Sequence, residues 1–386
     1  MADYTDFKFP TLNTTDANVH LSSTSNEHLP SQNVDFLSLA VDKCTANWTS
    51  HTLHTLQIEQ VTTEVYTPMQ LLSFTFSGNT IDNSASKETI DMCKNLIINS
   101  RCPLHKLDID DLKNTDTFEC FRLLMDKTLN GQWSHKVDLW NISPLTFADK
   151  LDNLQTRMCK KFQVHGELFA QQLIFMNMAK KKASLTKAMY GKLFEHFAGL
   201  FGLTCINGPS PCGVQIGDNI ITSSPDMIFP DLVNSDETNE DMNVIAVCQV
   251  TDDFQTVHIS HDVAKPLNCG CKKKKSEIVV KHLSDNLIGQ HGGDLLAHIP
   301  LSKNNGILGI VVQKTFITFV HFRCDQVQFE RIQRKEDDFA SKPVIFFSRP
   351  YDYLKPVDRN ELIEPFFETS FSSVESVSVR YTLYCI

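Results

Sequence analysis

Between residues 185 and 324 the spacing of apolar residues changes in a definite succession, and that succession limits the folds open to the chain. Leu185, Met189, Leu193, Phe194, Phe197 and Phe201 recur at three- and four-residue steps, which buries one face of a helix. The glycines and prolines of "NGPSPCG" end it. Short extended segments follow, "GVQIG", "NIITSS", "DMIFPDL" and "NVIAVCQVT". A second helix is expected over "SEIVVKHLSDNLIGQHGGDLLAHI", and two apolar strands, "GILGIVVQ" and "TFITFVHFR", close the unit. Helix, three or four strands, helix and two strands predict an α/β fold, a mixed central sheet flanked by helices that ends near residue 324.

The rest of the 386 residues divides around this unit. Residues 1–55 are rich in Ser, Thr, Asn and Asp with little periodicity, and read as disordered or loosely packed. Residues 56–142 read as a separate N-terminal region of mixed α+β. There "LHTLQIEQVTTEVYT" alternates like a strand, and "SKETIDMCKNLIINS" offers a serine N-cap with a Glu in the first turn. This region carries no chemical motif and is a candidate surface for a protein partner. Residues 143–324 hold a helical lead-in and the α/β core, and residues 325–386 form a C-terminal extension.

No run of about 18 apolar residues exists, so no membrane partner is expected. The first residues lack a basic segment followed by an apolar one, so the chain is expected to be intracellular, in cytoplasm or nucleus, and not secreted. The 12 cysteines then read as reduced thiols rather than a disulfide framework.

A net charge of −10 argues against a surface coated for nucleic acid, but its distribution is uneven. Residues 160–192 carry seven lysines against the single Glu167, while residues 226–253 carry eight acids and no Lys or Arg. A basic face beside an acidic pocket can bind phosphate around a metal. Solvated lysines on a helix and solvated acids on a loop are the plain alternative.

The segment 185–324 resembles the PD-(D/E)xK nucleases, the superfamily of restriction-endonuclease-like and RecB-like enzymes. Glu195 lies in "KLFEHFAGLFGL", where the first core helix of that family carries an acid. Pro225 and Asp226 in "SSPDMIF" match the PD strand, and "VIAVCQVT" falls at the acid-x-lysine strand. Gln290 in "LIGQHGGDLLA" resembles the glutamine-bearing helix of the RecB-like branch. The resemblance implies a restriction-endonuclease-like sheet, DNA or RNA as partner, and Mg²⁺ or Mn²⁺ held by Asp226 and Gln249. A hard cation of this kind takes oxygen ligands and lowers the pKa of an attacking water.

The acid-x-lysine position departs from the pattern, since it reads Gln249-Val250-Thr251. Glutamine brings a neutral oxygen and threonine no charge. Asp252 and Asp253 follow, and a lysine can enter from Lys265, the "CKKKK" run or Lys281, which is favoured because it is expected on the following helix. The catalytic set is therefore Glu195, Asp226, Gln249, Lys281 and Gln290. Each also has an ordinary reading: a strand-entry turn for Asp226, a solvated or ion-paired acid for Glu195, a helix kink for Gln290.

A rival constellation is "HISHDVAKPLNCGC", in which His258, His261, Cys269 and Cys271 supply ligand types for tetrahedral zinc, at a C-x-C spacing tighter than that of known fingers. Reduced thiols and exposed histidines are its alternative. Three functions stay open. They are a nuclease-fold protein that hydrolyses phosphodiesters in DNA or RNA, an inactive nuclease-like domain that binds nucleic acid or protein, and an intracellular scaffold.

Overall fold

Two strands buried along nearly their whole length set the centre of the fold. All eight residues of Gly306–Gln313 are buried, as are the six inner residues of Phe316–Arg323. A strand apolar on both faces needs a layer on each side. The computed structural model describes residues 41–76, 184–231, 242–253, 255–259, 278–302, 305–336 and 341–372, with Asp91 and parts of 161–179. All of these fall within one compact unit, 36–386.

The strands are β1 (Glu59–Tyr66), β2 (Ile206–Asn207), β3 (Cys212–Ile216), β4 (Asn219–Ser223), β5 (Met227–Pro230) and β6 (Val244–Thr251). They continue with β7 (Gln255–Ile259), β8 (Ile278–His282), β9 (Gly306–Gln313), β10 (Phe316–Arg323), β11 (Val344–Ser348) and β12 (Tyr351–Asp352). The α-helices are α1 (Ser50–Thr55), α2 (Pro68–Phe76), α3 (Lys187–Leu200), α4 (Asp285–His298), α5 (Gln326–Arg334) and α6 (Pro356–Ser372). The main sheet runs β1-β11-β10-β9-β6-β5-β2, with β12 beside β10. It is mixed, because β1–β11 and β6–β9 are parallel while the remaining pairs are antiparallel. The protein is thus an α/β fold with a mixed central sheet flanked by helices.

Alternation along the strands sorts the core into two halves. Met227, Phe229, Ala246, Cys248, Val250, Leu308, Ile310 and Phe319 face α2, α3 and α6. Ile228, Val247, Ile307, Val311, Val320 and Phe322 face α4, α5 and the β3–β4 hairpin. The parallel neighbours β6 and β9 are joined through α4, the crossover that parallel strands require.

Several sequence expectations meet a different arrangement. The strand in 59–66 is not set apart from the core, since β1 pairs with β11 in the core's own sheet. The C-terminal residues 344–348 carry that sheet past the boundary expected at 324. The pairing joins segments far apart in sequence, which local periodicity cannot reveal. Residues 41–55, read as loose, hold the fully buried Trp48 and Leu53.

The expected single helix over 276–299 is a strand and then a helix. Ile278, Val279 and Val280 are β-branched and enter β8, and Ser284 caps a new helix by accepting a hydrogen bond from the Leu287 amide at 3.3 Å. The loose reading of 1–40, the serine-capped helix near 84 and the three zinc candidates His261, Cys269 and Cys271 lie outside the described residues.

The small residues around Gln290 have a packing reason. A side chain at Gly289 would collide with the backbone of Thr49, and one at Gly293 would press on Thr45 and on the ring of Trp48 at 2.8 Å. Gly292 faces Leu53 in the same way. The glycines of α4 let residues 45–53 lie directly on the helix.

Candidate functional site

Met227 pairs with Cys248 and Ile228 with Val247 across the antiparallel β5–β6 ladder. One step further along this register, Asp226 and Gln249 are the next facing positions on neighbouring strands. The Asp226 carboxylate closes the ladder's end, as its Oδ2 accepts the Val250 amide at 2.7 Å. Its backbone oxygen accepts the Gly208 amide at 2.8 Å. By alternation with Val247, Gln249 faces the α4 side of the sheet, where it is buried, and its Oε1 has no hydrogen-bond partner among the described residues.

The other Asp226 oxygen meets a lysine that sequence reasoning left out. Lys187 Nζ lies 2.8 Å from Oδ1, with 46% of the lysine side chain exposed and 26% of the aspartate's. Lys187 is the first residue of α3. The helix comes this close because Gly191, one turn on, lies over Met227 and Val250, where an added Cβ would approach Met227 Cε at 3.2 Å. Lys187 looked like one more solvated lysine of the basic stretch. The signal that could have found it is the glycine four residues later on the helix's buried face.

The remaining expected site residues are placed elsewhere. Glu195 has both oxygens engaged, Oε1 by Lys192 at 2.7 Å and Oε2 by Asn207 of β2 at 2.8 Å. Burial pushes its carboxyl up, and the hydrogen bonds from Lys192 and Asn207 outweigh that and hold it below the ordinary range. Lys281 lies in β8 opposite Thr256 of β7, not on the following helix. Gln290 is half-buried on α4, with no hydrogen bond to Asp226 or Gln249. Asp252 and Asp253 are exposed past the end of β6. Of the lysines at 160–192, Lys161 donates to the Gly202 carbonyl, and Lys187 and Lys192 are in ion pairs.

A second acidic group was missed altogether. Asp294 of α4 is fully buried, and its Oδ1 accepts hydrogen bonds from Thr45 Oγ1 at 2.7 Å and Ser223 Oγ at 2.8 Å. Its Oδ2 has no partner among the described residues. Burial pushes its carboxyl up to about 6 against the pull of the two hydroxyls. Ser223 and Thr45 are thereby tied to the helix that crosses from β6 to β9. No periodic pattern marks Asp294, since "GGDLLA" reads as a plain helical turn.

A divalent cation would find at this strand end one carboxylate, both of whose oxygens are taken, and one neutral amide oxygen. It reaches Asp226 Oδ1 by displacing Lys187. Among the described residues no three His, Cys, Asp or Glu side chains cluster to hold a metal ion, and no helix is long and apolar enough to cross a membrane. The five described cysteines, Cys44, Cys205, Cys212, Cys248 and Cys324, are free. Burial raises the Cys248 thiol well above its ordinary range. Compared with known proteins, the chain matches no protein-family model, no curated protein and no solved structure.

Proposed function

We propose that the protein is a nuclease-like α/β domain that engages DNA or RNA without cutting it, the end of the β5–β6 pair being a degenerate counterpart of a PD-(D/E)xK active site. The observation that carries this reading is the Lys187–Asp226 ion pair at 2.8 Å beside a neutral Gln249. It is supported by the order α3, β5, β6, α4, β9, with β5 antiparallel and β9 parallel to β6. One carboxylate already neutralised by an ammonium leaves little negative charge to bind Mg²⁺ or Mn²⁺, which hard-ion sites supply through carboxylates. Phosphate contact falls to the lysine-rich stretch 160–192, and such contact is salt-sensitive and largely blind to sequence.

The test is a paired measurement on the full chain with single- and double-stranded oligonucleotides of DNA and RNA. Binding by fluorescence anisotropy should weaken steeply with salt and be unchanged by EDTA. No shortening of the strands should occur with Mg²⁺ or Mn²⁺. Metal-dependent cleavage that is lost in Asp226→Ala would overturn the inactive reading. Absence of binding to every strand would overturn the nucleic-acid reading and leave a protein-binding role.

A further inference from the structure

We infer that the Lys187 ammonium is a built-in counter-ion standing in the cation position at Asp226, so that the chain itself holds divalent metal off this strand end. The inference deepens the reading of Asp226 as a degenerate nuclease-like position, although metal exclusion does not depend on nucleic acid being bound.

Three features of the pair carry it. The 2.8 Å separation is that of a charge-assisted hydrogen bond, so Lys187 is in direct contact and not merely nearby. The second carboxylate oxygen is fixed by the Val250 amide at 2.7 Å, which turns the first toward the start of α3. The aspartate cannot move away from the lysine without giving up that bond and opening the ladder's end.

The neighbouring oxygen fits the same picture. Gln249 Oε1 is buried without a partner among the described residues, and Gln249 is the next facing position across the ladder. A buried acceptor left without a partner calls for a physical explanation. The ammonium satisfies the aspartate and leaves the amide oxygen unsatisfied. A single point charge on a flexible stem can engage the one carboxylate oxygen and no second group. Gly191 keeps the arrangement in place by letting α3 lie close over Met227 and Val250.

Because the pair is partly exposed, the exclusion is moderate, and removing the ammonium should raise divalent-ion affinity on the order of tenfold. Mn²⁺ alone is titrated into the full chain, and free ion is followed by electron paramagnetic resonance. Lys187→Met and Lys187→Gln should each bind Mn²⁺ about tenfold more tightly than the wild type. Adding Gln249→Glu to Lys187→Met should tighten binding further, and adding Asp226→Asn instead should abolish the gain.

Circular dichroism confirms that each variant is folded, with Lys187→Gln as the substitute if Lys187→Met is not. A folded variant that binds Mn²⁺ no better than the wild type overturns the inference, as does a gain that survives Asp226→Asn. Anisotropy on the wild-type chain, whose lysines are intact, separates the two readings. A Mn²⁺ gain in the variants without oligonucleotide binding by the wild type keeps the counter-ion and loses the nucleic-acid role. Oligonucleotide binding by the wild type without the Mn²⁺ gain in the variants does the reverse.

Discussion

Acidifying the protein from about pH 7 to about pH 4.5 lowers its unfolding free energy by roughly 5 kcal/mol. Three buried, neutral histidines drive the loss. Burial lowers His291 from 6.5 to about 3, burial with the nearby Arg323 lowers His321 to about 4, and burial with the nearby Lys192 lowers His196 to about 4. All three are held neutral in the fold and take up a proton near 6.5 once unfolded. Their contribution is complete above 6.5 and disappears as the pH falls toward their folded values, at about 2–3 kcal/mol each by about pH 4.5. His165 and His298, also lowered by burial, act in the same direction.

Asp294 works in the opposite direction. Its folded value of about 6 lies above the ordinary 3.8, so its stabilisation is absent above about pH 6 and is gained on acidification. It returns about 2 kcal/mol by about pH 4.5. Glu195, held below its ordinary range, adds to the loss. Urea unfolding at the two pH values measures the sum. Asp294→Asn keeps an acceptor for Thr45 and Ser223 without the titration, so its loss should be roughly 7 kcal/mol. A wild type whose stability is flat or rises on acidification would contradict the assignment of His196, His291 and His321 as buried and neutral.

Replacing Trp48 by alanine should cost about 3–5 kcal/mol, a large part of the ~5–15 kcal/mol that holds a domain together. The ring is fully buried, its Nε1 donates to the Asp42 carbonyl at 2.8 Å, and its six-membered edge rests on Gly293 of α4. Removing it empties the seat that Gly293 creates and loosens Thr45, whose hydroxyl bonds Asp294. The effect reaches past the segment itself, because the same stretch leads through α1 into β1 and the edge of the sheet. Denaturant titration followed by far-ultraviolet circular dichroism reads the loss, and Trp48→Phe should fall between alanine and wild type. A Trp48→Ala cost below about 1 kcal/mol would show that residues 41–55 are only loosely attached.

The local elements were largely legible from the amino-acid pattern. The three- and four-residue spacing from Leu185 to Phe201 becomes α3, and the apolar runs become β9 and β10. "NIITSS", "DMIFPDL" and "NVIAVCQVT" become β4, β5 and β6. What stayed hidden depends on residues distant in sequence. The β1–β11 ladder joins Glu59 to Val344, and no local period announces a parallel partner. Trp48 sits in a Ser/Thr/Asn-rich stretch whose composition suggests disorder, yet a single large ring on a glycine face suffices to pin it.

The candidate site divides the same way. Asp226 was marked by its place before an apolar strand, and Gln249 by the strand that follows. Lys187 was hidden by its own neighbours, since one lysine among seven in a basic stretch carries no mark of its partner. Lys281 was misplaced because "EIVVKHL" fits either period, and its β-branched residues decide for a strand. Gln290 drew attention through the small residues around it, which serve the packing of Thr49, Thr45 and Trp48.

Anomalous diffraction from crystals of the wild-type chain soaked in Mn²⁺ at neutral pH asks directly what stands beside the Asp226 carboxylate. The expected map has no manganese peak there and shows Lys187 Nζ still against Oδ1. A manganese peak bridging Asp226 and Gln249, with Lys187 swung into solvent, would contradict the built-in counter-ion and return the strand end to metal chemistry.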